Sequence, residues 1–190
     1  LPPHPNAPAD RGVRTRGIPS ATHVDHVAYT VPDLDEAIRF FTEVLGADLV
    51  YREEPVRADD DAMRETLNVH PRAVAEIAML RLGPVTNVEL FAYHAPDQRR
   101  LMPRNSDYGG HHLSFHVTDI DAAADHLRAQ PGVRVLGEPR TVTSGPIAGM
   151  RWVYFLTPWG MQMELSCPPA RLPYEESTVH RRFSLADRGV

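Results

Sequence analysis

Gly109–Ala122 reads GGHHLSFHVTDIDA, and its alternation decides how the chain folds. Successive side chains of a strand point to opposite faces. His112, Ser114 and His116 therefore share one face, opposite His111, Leu113, Phe115 and Val117. The alternation stops at Thr118-Asp119, and a helical period begins. Ile120, Ala123, Ala124 and Leu127 form one apolar stripe, with Pro131 beyond its end. The same sentence occurs earlier in the chain. HVAYTVPDLDEA (26–37) overlays it with a shift of 86 residues, bringing His26 onto His112, Val31 onto Val117, Asp33 onto Asp119, Leu34 onto Ile120, Asp35 onto Asp121 and Ala37 onto Ala123. Further on, NVEL (87–90) overlays QMEL (162–165) with a shift of 75, which brings Glu89 onto Glu164. An internal repeat of this length is read as two copies of one supersecondary unit.

Working outward gives each copy the order βαβββ. In the first, 23–31 is a strand closed by Pro32. Asp33 with Glu36 predicts a capping box, and Leu34, Ala37, Ile38, Phe41, Val44 and Leu45 make the buried stripe of a helix that Gly46 stops. Strands follow at 48–53, 73–82 and 87–93. Residues 54–72 are polar, bracketed by Pro55 and Pro71, with a helical turn near DAMRETLNV; such a segment is suited to cover a site. In the second copy, strands are expected at 111–117, in VRVLGEP, in MRWVYFLT and in MQMELSC, with a helix from Thr118. The organisation predicted is an extended or disordered leader (1–22), a first module (23–94), a linker (95–110), a second module (111–168) and a polar tail (169–190). The fold class is α+β.

Composition narrows the function classes. Of the 190 residues 42% are hydrophobic, enough for a buried core. No run of eighteen apolar residues is present, so no membrane span is expected. The N-terminal stretch lacks the apolar core of a signal peptide. The net charge of −5 comes without a basic block, which argues against nucleic acid as a partner. One cysteine, Cys167, excludes an internal disulfide and a multi-cysteine metal site, and a reducing cytoplasm is the expected compartment. All the cationic side chains are arginine. Schiff-base chemistry on lysine is excluded, while Arg140 and Arg151 are available to hold an anion, unless they are plain surface residues.

Within each strand the His or Glu of the repeat keeps polar or small company and faces away from an apolar side. A sheet that packs a helix on one face and lines a cavity with the other has this pattern. Two such units related by a pseudo-twofold axis would bring His26, Glu89, His112 and Glu164 together. Two neutral imidazoles and two carboxylates suit one divalent ion, Zn, Ni, Co, Mn or Fe. Such a set leaves two positions on an octahedral ion for a small substrate with oxygens on neighbouring carbons. Trp152 and Tyr154 share a face and are expected in the core. Glu76 has no counterpart in the second copy, and His23, His94 and His126 are expected to be incidental. His111 is expected to be structural; His116 shares the face of His112 and either lines the cavity or is a satisfied strand histidine.

The repeat resembles the vicinal oxygen chelate superfamily of glyoxalase I, methylmalonyl-CoA epimerase, extradiol dioxygenases, fosfomycin-modifying enzymes and bleomycin-binding proteins. The residues that carry this resemblance are VDHVAYTVPDLDEAIRFFTEVLGA, GGHHLSFHVTDIDAA and PWGMQMEL, and it spans about residues 23–168. It implies two tandem βαβββ modules forming a curved mixed sheet around a cavity. It implies His26, Glu89, His112 and Glu164 as metal positions. It also implies a homodimer, in some members with the site shared between chains. Glu164 would be ligand and base, and Glu89 its opposite number. Glu89 discriminates among the branches. Glyoxalases carry a carboxylate there, epimerases often a Gln, and extradiol and fosfomycin enzymes use no ligand at that position. The activity implied is that of a metal-dependent lyase or isomerase. An Fe(II) ring-cleaving dioxygenase and a metal-free binding or resistance protein are the alternatives, because one scaffold hosts all three.

Overall fold

The computed structural model describes residues 18–183. Most of the expected leader (1–17) and the end of the tail (184–190) lie outside the described residues. The first copy runs β1 (His26–Thr30), α1 (Leu34–Arg39), β2 (Asp48–Arg52), α2 (Ala62–Leu67), β3 (Val74–Leu82) and β4 (Thr86–His94). The second runs β5 (Leu113–His116), α3 (Ile120–Arg128), β6 (Arg134–Val135), β7 (Arg140–Thr141), β8 (Arg151–Leu156) and β9 (Gln162–Cys167). The strands form two mixed sheets, in the orders β1-β4-β3-β2 and β5-β9-β8-β6, with β7 also on β8. The α+β expectation holds.

The repeat is geometric as well as textual. In each copy the first strand runs parallel to the last, so that Ala28 pairs with Glu89 and Ser114 with Glu164. Ala28 and Ser114 are equivalent under the shift of 86 residues. Helices α1 and α3 each start at an aspartate whose side chain accepts the backbone N–H three residues on: Asp33 from Glu36 and Asp119 from Ala122. Such caps contribute about 1 kcal/mol each.

Three local departures have physical causes. Helix α1 does not continue as expected to Leu45 but widens into a π-helical turn (Phe40–Val44), where the Leu45 N–H donates to Phe40 O. The extra residue in that turn brings both Phe40 and Phe41 inward, whereas the regular period selects only Phe41. Gly46, at φ +73°, then ends the helix. The expected strand VRVLGEP is reduced to the two-residue β6, because Gly137 sits at φ +87° and Pro139 follows, and the equally short β7 lies just beyond it. Strand β5 is four residues long, and His111 and His112 lie just ahead of it.

The helices pack on one face of each sheet in a single core. Phe41, Leu80, Leu90, Ile120, Phe155 and Met163 are fully buried in it. Phe40 meets Trp159 edge-on at 5.3 Å, and His126 Nε2–H donates to Val44 O, so the two copies share that core. Phe41→Ala removes a ring with no exposure. It is expected to cost about 3–5 kcal/mol, read as a lower urea midpoint at unchanged slope. A second, smaller cluster lies on the opposite face of the first sheet. There Met63 of α2 packs on Ala75 and Ile77 beside Phe91 and Tyr93. The register places Ala75, Ile77, Phe91 and Tyr93 on the face that carries Glu89. The segment 54–72 therefore covers one end of that face.

Candidate functional site

Each copy builds a His–Glu pair by the same device. The histidine sits two residues before the residue opposite the glutamate, a diagonal that long side chains span. His26 Nε2 lies 3.3 Å from Glu89 Oε2, and His112 Nε2 lies 3.0 Å from Glu164 Oε2. All four side chains are partly open to solvent. The glutamates are the more enclosed, each at 17% exposure against 38% for His26 and 31% for His112.

The far nitrogen of each ring is also held. His26 Nδ1 lies 2.9 Å from Asp25 Oδ2, and the Asn87 amide donates to the Asp25 carbonyl at 2.9 Å. His112 Nδ1 lies 3.1 Å from Asn105 Oδ1. A neutral ring that donates from Nδ1 leaves Nε2 with its lone pair free to bind a metal, the arrangement usual for metal-binding imidazoles. Here the bare Nε2 would face a carboxylate oxygen at about 3 Å, lone pair against lone pair. Either a second ring proton or a cation must sit between them. At His26 the Asp25 hydrogen bond, aided by the charge of Glu89 and opposed by burial, raises the imidazole above its ordinary range.

The donor types thus fit a divalent ion, but the structure presents them as two pairs. Among the described residues no three His, Cys, Asp or Glu side chains come together as the ligands of one ion. His26 stands with Glu89, and His112 stands with Glu164.

Around the pairs the structure adds residues that the sequence pattern misplaced. Tyr154 pairs with Glu164 across β8 and β9, and Trp152 with Ser166, so both aromatics lie on the site face. The core is filled instead by Val153 and Phe155. Alternation separates the two faces of β8 but does not say which is inner when both are apolar; the pairing with Glu164 is what decides. The Tyr154 ring meets His112 edge-on at 5.1 Å. Burial and the charge of Glu164 push the Tyr154 phenol up, and a hydrogen bond from Asn105 offsets part of this. The first copy has its own phenol: burial and Glu89 push Tyr93 up.

The remaining candidates are accounted for. His111 stacks on Tyr29 at 5.0 Å and bonds Gly109 O, a structural role. His116 shares the site face, opposite Ser166. Arg151 is engaged by both oxygens of Asp121, at 2.8 and 2.9 Å, while Arg140 lies opposite Trp152. Glu76, which has no counterpart in the second copy, pairs with His94 at 2.9 Å and Arg52 at 3.8 Å. His23 bonds its neighbour Thr22.

This geometry on two repeated strand–helix–sheet units has a known home. Residues 23–165 match the model of the Glyoxalase/Bleomycin resistance protein/Dioxygenase superfamily, and the chain belongs to that family. A protein of Actinomyces sp. named 2-epi-5-epi-valiolone epimerase is 65% identical over 168 residues, 88% of this chain and 91% of that protein. Among solved structures, a glyoxalase family protein from Bacillus cereus superposes with a TM-score of 0.61 at 24% identity, covering 83% of this chain and 99% of that one. A fosfomycin resistance protein from Listeria monocytogenes gives 0.52 at 14% identity, covering 79% and 96%. These two likenesses establish the fold. Among the described residues no helix is long and apolar enough to cross a membrane.

Proposed function

We propose that this chain is an epimerase that inverts one stereocentre beside the carbonyl of a cyclic hydroxy-ketone, 2-epi-5-epi-valiolone or a close analogue. The observation that carries the reading is the 65% identity to an epimerase of that name over 88% of the chain. The duplicated His–Glu pair supports epimerisation over ring cleavage or mere sequestration. Inversion requires a proton to leave one face of a carbon and return to the other, and two carboxylates from two repeats can serve two faces.

His26, Glu89, His112 and Glu164 would hold one divalent ion, Zn, Ni, Co, Mn or Fe. Such an ion would make the carbon-bound proton more acidic and would offset the negative charge left when that proton departs. The protein supplies the rest. Glu164 takes the proton as general base, for which it must lie within hydrogen-bond reach of the carbon. Glu89, carrying a proton at the start of the cycle, gives it to the other face of the carbon, and exchange with solvent then restores both carboxyl groups. Tyr154 and Tyr93 border the two carboxylates, and α2 shields one end of the first sheet from water. Because one chain keeps its two pairs apart, the reading includes a homodimer in which the first pair of one protomer meets the second pair of its partner.

The test is turnover. The purified chain should convert 2-epi-5-epi-valiolone to an epimer, stop when the ion is chelated, and resume when a divalent ion is returned. Absence of conversion with any of the five ions would overturn the reading.

A further inference from the structure

The two histidines of the repeat are equivalent in sequence but are held differently. The shift that lays His26 on His112 lays Asp25 on His111. The second copy therefore lacks the carboxylate that holds the first histidine. His111 cannot replace it, because its ring is stacked on Tyr29 and its Nδ1 is engaged by Gly109 O. The missing acceptor comes from outside the repeat. Asn105, in the segment joining the two modules, lies with Oδ1 3.1 Å from His112 Nδ1. Asn105 also offsets part of the upward push on the Tyr154 phenol, which places it beside both side chains.

The segment is built to hold Asn105 in place. Arg104 and Asp107 bracket it, with the Arg104 N–H donating to Asp107 Oδ2 at 2.8 Å and the guanidinium reaching Asp107 Oδ1 at 3.1 Å. The Asp107 N–H returns to Arg104 O, and the Gly110 N–H donates to Asp107 O at 2.7 Å. The turn closes so tightly that a Cβ on Gly110 would lie 2.2 Å from Arg104 O, so only glycine fits there.

We propose that Asn105 is a positioning residue: by accepting the Nδ1 proton of His112 it fixes that imidazole with Nε2 bare and turned toward Glu164, the role Asp25 performs for His26. The inference rests on the metal reading of the site. It adds that the two halves are unequal, one imidazole braced by an anion and the other by a neutral amide, and that the joining segment belongs to the site.

The test uses the full chain with Zn²⁺ as probe. Asn105→Ala removes the acceptor, and Asn105→Asp restores one. Zinc affinity from chelator competition should fall about 10–100-fold in Asn105→Ala and return to at least the wild-type value in Asn105→Asp. In the zinc-loaded wild type the His112 Nδ1–H should give a slowly exchanging downfield proton resonance that Asn105→Ala loses. The metal-free melting temperature should be unchanged, since Asn105 is exposed. Wild-type affinity in Asn105→Ala, or a persistent Nδ1–H resonance there, would overturn the inference alone. Failure of the wild type to take up zinc, or any of the other four ions, would overturn the metal reading and the inference with it.

Discussion

Glu164→Gln is expected to lower turnover by about 10²–10⁴-fold, the usual contribution of a positioned general base. The amide keeps the shape of the side chain and an oxygen near His112, but it cannot take a proton. Stability should change by less than about 1 kcal/mol, because the site lies on the open face of the sheet and no core contact is lost. The loss should be in kcat rather than in KM, as for an interaction needed only on the way to the transition state. The two carboxylates also predict how each variant fails. With one removed, the survivor still exchanges the proton of whichever epimer presents it to that face. Glu89→Gln in heavy water should therefore wash deuterium into one epimer while inversion is lost. Equal loss of exchange and inversion in both variants would contradict a two-sided site.

The second large effect is a restoration. His26→Ala and His112→Ala should each be inactive, since each breaks one pair. If sites form between protomers, a mixed dimer holds one site with both defects and one with neither. Random exchange of subunits makes half of the dimers mixed, so about a quarter of the wild-type activity should return. If both pairs of a site come from one chain, every site keeps one defect and mixing restores nothing. Activity recovered on mixing, and its dependence on dilution, thus reads the assembly and the site at once. The structure motivates the experiment directly. His26 with Glu89 and His112 with Glu164 are each formed at 3.3 and 3.0 Å, and no third ligand joins either pair within the described residues.

The fold was legible in the chain because it is written twice. One copy of HVAYTVPDLDEA would be a strand and a helix; two copies with matched His, Asp and Glu constrain each other. The strand pairing of Ala28 with Glu89 and of Ser114 with Glu164 follows the textual repeat. What the repeat does not encode was harder to see. Asn105 has no counterpart in the first copy, and its role depends on a contact between a loop and a strand that periodicity cannot register. Trp152 and Tyr154 share a period-two pattern with Val153 and Phe155, so which pair faces the core was settled only by packing. The π-helical turn that buries Phe40 is likewise invisible to a count based on 3.6 residues per turn. The partners of Glu76 come from β2 and the end of β4, which the strand pattern located but could not bring together.

The most direct measurement is the reaction in heavy water, followed by proton NMR with 2-epi-5-epi-valiolone as substrate. The account predicts that the inverted carbon of the product carries deuterium from solvent. It predicts that both inversion and incorporation cease on chelation and return with a divalent ion, and that Glu164→Gln abolishes both in the epimer that Glu164 serves. Inversion that retains the original hydrogen, or that proceeds undiminished in the presence of a chelator, would contradict it.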